Sequence, residues 1–85
     1  MTEKKEVMQK RQLILVEWED ITGTGKWHSE EEAETSQTLK CFTVGWRMKS
    51  DRKHLTIAST RNTYNECLDR TTMPRSSIRS IRRLE

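Results

Sequence analysis

Residues 39–49 read Leu-Lys-Cys-Phe-Thr-Val-Gly-Trp-Arg-Met-Lys, and this run constrains the fold more than any other. Phe42, Val44, Trp46 and Met48 fall on one parity, and Cys41, Thr43, Gly45, Arg47 and Lys49 on the other. A period of two belongs to an extended strand, whose successive side chains point to opposite faces. The bulky parity is expected to face the core. Gly45 sits inside the run, where a missing side chain marks a bend, a bulge or the close crossing of another strand. A small sheet needs such a point to curl over itself.

The neighbouring segments supply more strands. In residues 12–20, Ile14, Val16 and Trp18 share one face, with Glu17 and Glu19 on the other. Leu13 and Leu15 lie on the outward face, where the N-terminal tail or a partner would cover them. Ser50-Asp51-Arg52-Lys53 is a hairpin turn, and Leu55 and Ile57 alternate with Thr56 and Ala58 in the returning strand. Residues 64–72 form a weaker strand, with a helix through residues 65–70 as the competing reading. Pro74 suits the first position of a tight turn, because its missing N–H needs no partner there. A 3₁₀ turn ending near Ile78 and a short last strand over residues 79–84 follow. The spacing of Ile78, Ile81 and Leu84 keeps a C-terminal helix as the rival.

The connection after the first strand is long. Thr22-Gly23-Thr24-Gly25-Lys26 is a turn without the glycine spacing of a phosphate-binding loop. Ser29, with Glu32 three positions on, is a capping box, and the acidic first turn suits a helix dipole, so a short helix over residues 29–36 is expected.

These elements predict an all-β fold: a small SH3-like barrel of about five antiparallel strands. A short helical turn occupies its first long loop, and a 3₁₀ turn precedes the last strand. A closed barrel would hide the edges that short strands otherwise expose. Residues 1–11 read as a flexible charged tail and residues 12–85 as one domain. The expected core is Ile14, Val16, Trp18, Phe42, Val44, Trp46, Leu55, Ile57, Leu68, Ile78 and Ile81.

Charge is distributed in blocks. The formal net charge is +3. Residues 17–34 carry seven carboxylates against Lys26 alone, whereas residues 35–85 carry eleven basic side chains against four acidic ones. An acidic patch and a broader basic surface follow, able to steer a partner or to join copies head to tail. No apolar run reaches the roughly 20 residues that span a bilayer. The mixed charges of Glu3, Lys4, Lys5 and Glu6 do not read as a secretion signal. A cytoplasmic location is expected, with no membrane association.

Cys41 and Cys67 are too few for a disulfide scaffold and read as reduced small hydrophobes. With His28 and His54 they are scattered singly, unlike the close ligand pairs of structural zinc sites, so no metal or cofactor is expected. No spacing pairs a nucleophile or acid with a base, and the chain reads as a non-enzyme.

Val16-Glu17-Trp18-Glu19-Asp20, Thr43-Val44-Gly45-Trp46, Ala58-Ser59 and Met73-Pro74-Arg75-Ser76-Ser77-Ile78-Arg79-Ser80-Ile81-Arg82-Arg83-Leu84 carry a resemblance. Over about residues 13–84 the chain is similar to a group of short, mostly uncharacterised proteins of tailed bacteriophages and prophages. The resemblance implies a viral origin and a life in the cytoplasm of an infected bacterium. It also implies a small protein that inhibits or redirects a host enzyme, and it brings no active site.

Two binding readings follow. In the first, the protein binds and modulates a host bacterial protein, also as a self-associating module. Its candidate contacts are Trp27, His28, Glu30, Glu31 and Glu34, an aromatic anchor with a charged rim. The alternative for Trp27 is that it caps the open end of the barrel. In the second, Arg47, Arg52, Lys53, Arg75, Arg79, Arg82 and Arg83 bind DNA or RNA, arginine being suited to phosphate through its planar fork.

Overall fold

The structure is a computed structural model and describes residues 8–20 and 27–85. The elements are β1 (Leu13–Asp20), α1 (Glu30–Glu34), β2 (Leu39–Ser50), β3 (His54–Arg61), β4 (Cys67–Pro74), a 3₁₀ turn (Arg75–Ser77) and β5 (Ile78–Arg83). Their order in the single antiparallel sheet is β4-β3-β2-β1-β5. The helical alternatives for residues 65–70 and for the C-terminal segment are not adopted. The glycine-containing turn at residues 22–26 and the first seven residues of the expected tail lie outside the described residues.

The sheet is not the closed barrel that the sequence suggests. β4 and β5 are its two edges, and no ladder joins them. Both edges resist pairing for identifiable reasons. In β4, Asp69 takes a left-handed backbone (φ 57°), which breaks the regular edge. In β5, a bulge sets Arg79 out of register, since Glu17 pairs Ser80 while Trp18 pairs Ile78. Arg79, Arg82 and Arg83 charge that edge, and charge and bulges are the usual means of keeping an edge from zipping to another.

Ile14 and Val16 of β1, Leu55 and Ile57 of β3, and Met73 of β4 form one fully buried cluster, against which Trp18, Ile78 and Ile81 pack. Burying each of the five contributes roughly 1.5–3 kcal/mol. β2 lies between β1 and β3, so the sheet must bend across β2 for these side chains to meet. That bend decides which parity of β2 faces inward. The concave side has little room: a Cβ on Gly45 would stand 2.8 Å from the Ala58 carbonyl oxygen and 3.4 Å from Ile57 Cβ. Cys41, Thr43 and Gly45 therefore occupy it along the first part of β2. Thr43 accepts a 2.9 Å hydrogen bond there from Trp18 Nε1.

The bulky parity of β2 points outward, against the sequence expectation. Phe42 is 61% exposed and Val44 49%. Trp46 is only half-buried and lies outside the core cluster. Leu68, also expected inside, is exposed on β4, while Ala58 and Met73 are buried.

The turns are tied by side chains. In the β2–β3 turn, Asp51 Oδ1 accepts the backbone N–H groups of Lys53 (2.9 Å) and His54 (2.7 Å), which hold its carboxyl below the usual aspartate value. Arg75 clamps the 3₁₀ turn onto this tip: its backbone N–H donates to the Lys53 carbonyl and its Nε to the Asp51 carbonyl. Its Nη2 donates to Ser50 Oγ. Ser29 caps α1 by accepting Glu32 N–H at 3.1 Å, as the capping box predicts.

Candidate protein-binding face

Residues directly opposite one another in an antiparallel ladder share a face. The registers therefore map the outward face row by row. Val44 faces Leu15, which faces Arg82. Phe42 faces Glu17, which faces Ser80. Trp46 faces Leu13 on one side and Ala58 on the other, and Ala58 faces Arg70. Leu15 and Val44 thus sit side by side, Phe42 lies two residues along β2, and Arg82 and Glu17 border them.

At one end of this face stands the acidic connection. Asp20 pairs Leu39, so α1 leaves and returns at the end of the sheet nearest Phe42. Glu30, Glu31, Glu32 and Glu34 are all exposed. Glu19, on the outward parity of β1, is engaged: Arg79 forks onto it through Nε and Nη2, each at 3.1 Å, and Thr38 donates at 3.0 Å. The Arg79 and Thr38 hydrogen bonds hold the Glu19 carboxyl below its ordinary value.

Of the residues singled out for protein binding, Trp27 is fully exposed (101%), so it does not cap the sheet. His28, just before the Ser29 cap, bonds Glu32 Oε2 of α1 through its Nδ1 at 2.8 Å. Among the described residues Glu30, Glu31 and Glu34 make no hydrogen bond into the sheet, and all three are exposed. Sequence reasoning missed Phe42 and Val44 as surface residues. The signal that could have found them was the smallness of the opposite parity, Cys41, Thr43 and Gly45.

Of the seven basic residues singled out for nucleic acid, Arg47, Arg52, Lys53 and Arg75 gather at the β2–β3 tip, while Arg79, Arg82 and Arg83 stand apart on β5. Arg79 is paired with Glu19, and Arg75 clamps the β2–β3 tip. Arg47 Nε is buried without a hydrogen-bond partner while its Nη1 donates to Ser50 at 3.4 Å. Arg52 and Lys53 stand on the β2–β3 turn, and Arg82 and Arg83 on β5.

Cys41 is half-buried and Cys67 exposed, and both are free. Among the described residues no group of three His, Cys, Asp or Glu is placed to hold a metal ion. No described helix is long and apolar enough to cross a membrane. Compared with known proteins, the chain matches no family model, no curated protein and no solved structure.

Proposed function

We propose that the protein is a non-enzymatic binding module whose outward sheet face docks a partner protein. The observation that carries this reading is the exposure of Phe42 and Val44 beside Leu15, on a face that no described element of the chain covers. Exposed apolar clusters with a polar border are typical of protein interfaces, and an aromatic residue is the commonest anchor. The border selects the partner. Glu17 and the open carboxylates of α1 suit a protein whose apolar patch is ringed by lysine and arginine, because complementary charge steers encounter and rejects other partners. Fully exposed Trp27 adds a second anchor at the acidic end. The sequence resemblance to phage proteins supports a host bacterial protein as that partner, met in the host cytoplasm.

The test uses the full chain immobilised in nuclease-treated bacterial lysate. A partner captured by wild type should be lost with the double change Phe42→Ser and Val44→Ser, and should bind the purified protein directly. It should survive the change Arg52→Gln and Lys53→Gln. Capture unaffected by the first pair overturns the reading. Sedimentation separates the remaining occupant: a wild-type dimer that the Phe42/Val44 pair makes monomeric assigns the face to a second copy and removes the host partner.

A further inference from the structure

At the opposite end of β2 from Phe42, the start of β1 and the end of β5 form an open groove of about 580 Å³. Lys10, Arg11, Arg61 and Arg83 line it around Trp46, with Glu85 the one acid among the lining residues. None of the four cations is ion-paired among the described residues, where the salt bridges are His28–Glu32, Lys49–Asp51 and Arg79–Glu19. Four cations facing one carboxylate leave the lining with an excess of positive charge, so the cluster favours an anion.

Two of the cations are held in place. Arg61 lies over the Trp46 ring, its guanidinium carbon 5.7 Å from the ring centroid, and its Nη2 donates to the Gln9 carbonyl. A guanidinium stacked this way keeps its remaining N–H groups aimed outward at little entropic cost. Arg11 donates to the Met48 carbonyl at 3.0 Å and to Gln9 Oε1 at 3.2 Å. Met48 is the extra residue of a bulge, since Arg47 pairs Ile57 and Lys49 pairs Thr56. The bulge frees the carbonyl that Arg11 takes. Gln9 N–H donates to Asn65 Oδ1 at 2.9 Å, which ties residues 8–12 to the β3–β4 turn. That turn carries Tyr64, 73% exposed and next in the chain to Asn65, which holds Gln9 of the groove lining.

From these positions we infer that the groove binds the phosphodiester backbone of a single-stranded nucleic acid, with Tyr64 as a platform for an unpaired base. An open cationic channel with an adjoining aromatic ring is the arrangement that holds single strands, because backbone charge and base faces are then engaged together. The site differs from a binding surface built on the arginines of residues 70–83, of which it uses only Arg83. It adjoins the protein-binding face at Trp46 but uses none of Leu15, Phe42 and Val44.

The experiment is fluorescence anisotropy of a labelled single-stranded oligonucleotide of about 12 nucleotides with the full chain. Binding is expected to weaken steeply between about 50 and 200 mM salt. The double change Lys10→Gln and Arg83→Gln should weaken it roughly tenfold and flatten the slope of log K against log salt by about 1.4, some 0.7 per lost contact. Arg52→Gln with Lys53→Gln should change affinity less than about twofold. In the unsubstituted protein, the oligonucleotide should shift the Tyr64 and Asn65 amide signals, a readout that needs no variant to fold. The inference is overturned by an absence of binding at low salt, or by equal losses in the two double variants. It is also overturned if a duplex of the same length binds as well, or if inorganic tripolyphosphate competes as effectively at equal phosphate concentration.

Discussion

Replacing Gly45 by alanine tests the bend of β2, on which the placement of every outward residue depends. At an ordinary extended position this change stabilises a protein by about 0.4–1 kcal/mol, because it restricts the unfolded chain. The Gly45 backbone is not left-handed, so no strain of that kind opposes the methyl. What opposes it is the wall of β3: the new Cβ would stand 2.8 Å from the Ala58 carbonyl oxygen, an atom fixed in the backbone. β3 must retreat by several tenths of an ångström, and the buried Ile57 moves with it. Overpacking of this kind costs about 1–3 kcal/mol. A domain of 85 residues has about 4–13 kcal/mol of stability in total. Each kcal/mol lowers Tm by roughly 4–8 °C at this size. Urea denaturation followed by tryptophan fluorescence, with a thermal melt by circular dichroism, reads the effect. An unchanged slope against urea with a lower midpoint is expected. A Gly45→Ala variant as stable as wild type, or more so, would refute the close approach, and with it the reason bulky side chains face outward.

Further outcomes follow from the same geometry. Phe42→Ser should alter unfolding free energy by no more than about 0.5 kcal/mol, as for other surface changes, whereas Ile57→Ala should cost about 2–5 kcal/mol; parallel urea titrations compare them. Trp18→Phe removes the hydrogen bond to Thr43 and should cost about 1 kcal/mol in the same assay. The folded Glu19 carboxyl lies below its ordinary value of 4.5, so its pair with Arg79 stabilises fully above that pH and fades as pH falls through the lower folded value. Glu19→Gln should therefore flatten the acid side of the stability profile, and added salt should shrink the difference because the pair is half-exposed.

Much of the fold was legible because local chemistry and tertiary structure agree. Ser29 with Glu32 marked α1, Pro74 marked the 3₁₀ turn, and the alternation of Ile14, Val16 and Trp18 marked the inner face of β1. The facing of β2 was not legible from hydrophobicity, since Phe42, Val44 and Trp46 outweigh Thr43 and Gly45 on any such scale. Space on the concave side decided it, and that depends on how near β3 comes. Closure was misread for a related reason: element order is shared by open and closed sheets, while the edges depend on a left-handed backbone at Asp69 and a bulge at Arg79. At the sites, Glu30, Glu31 and Glu34 announced an acidic end. The apolar face emerged only from cross-strand register, and the Trp46 groove gathers residues far apart in the chain. Arg11 and Arg61 are set there by the carbonyls of Met48 and Gln9, and Arg83 by the pairing of β5 with β1.

The outward facing of β2 is measured most directly by methyl relaxation in a soluble paramagnetic agent. The Val44 methyl signals should broaden strongly, while those of Ile14, Leu55 and Ile57 stay sharp. Protected Val44 methyls, in a folded protein whose Ile57 signals broaden instead, would contradict the account.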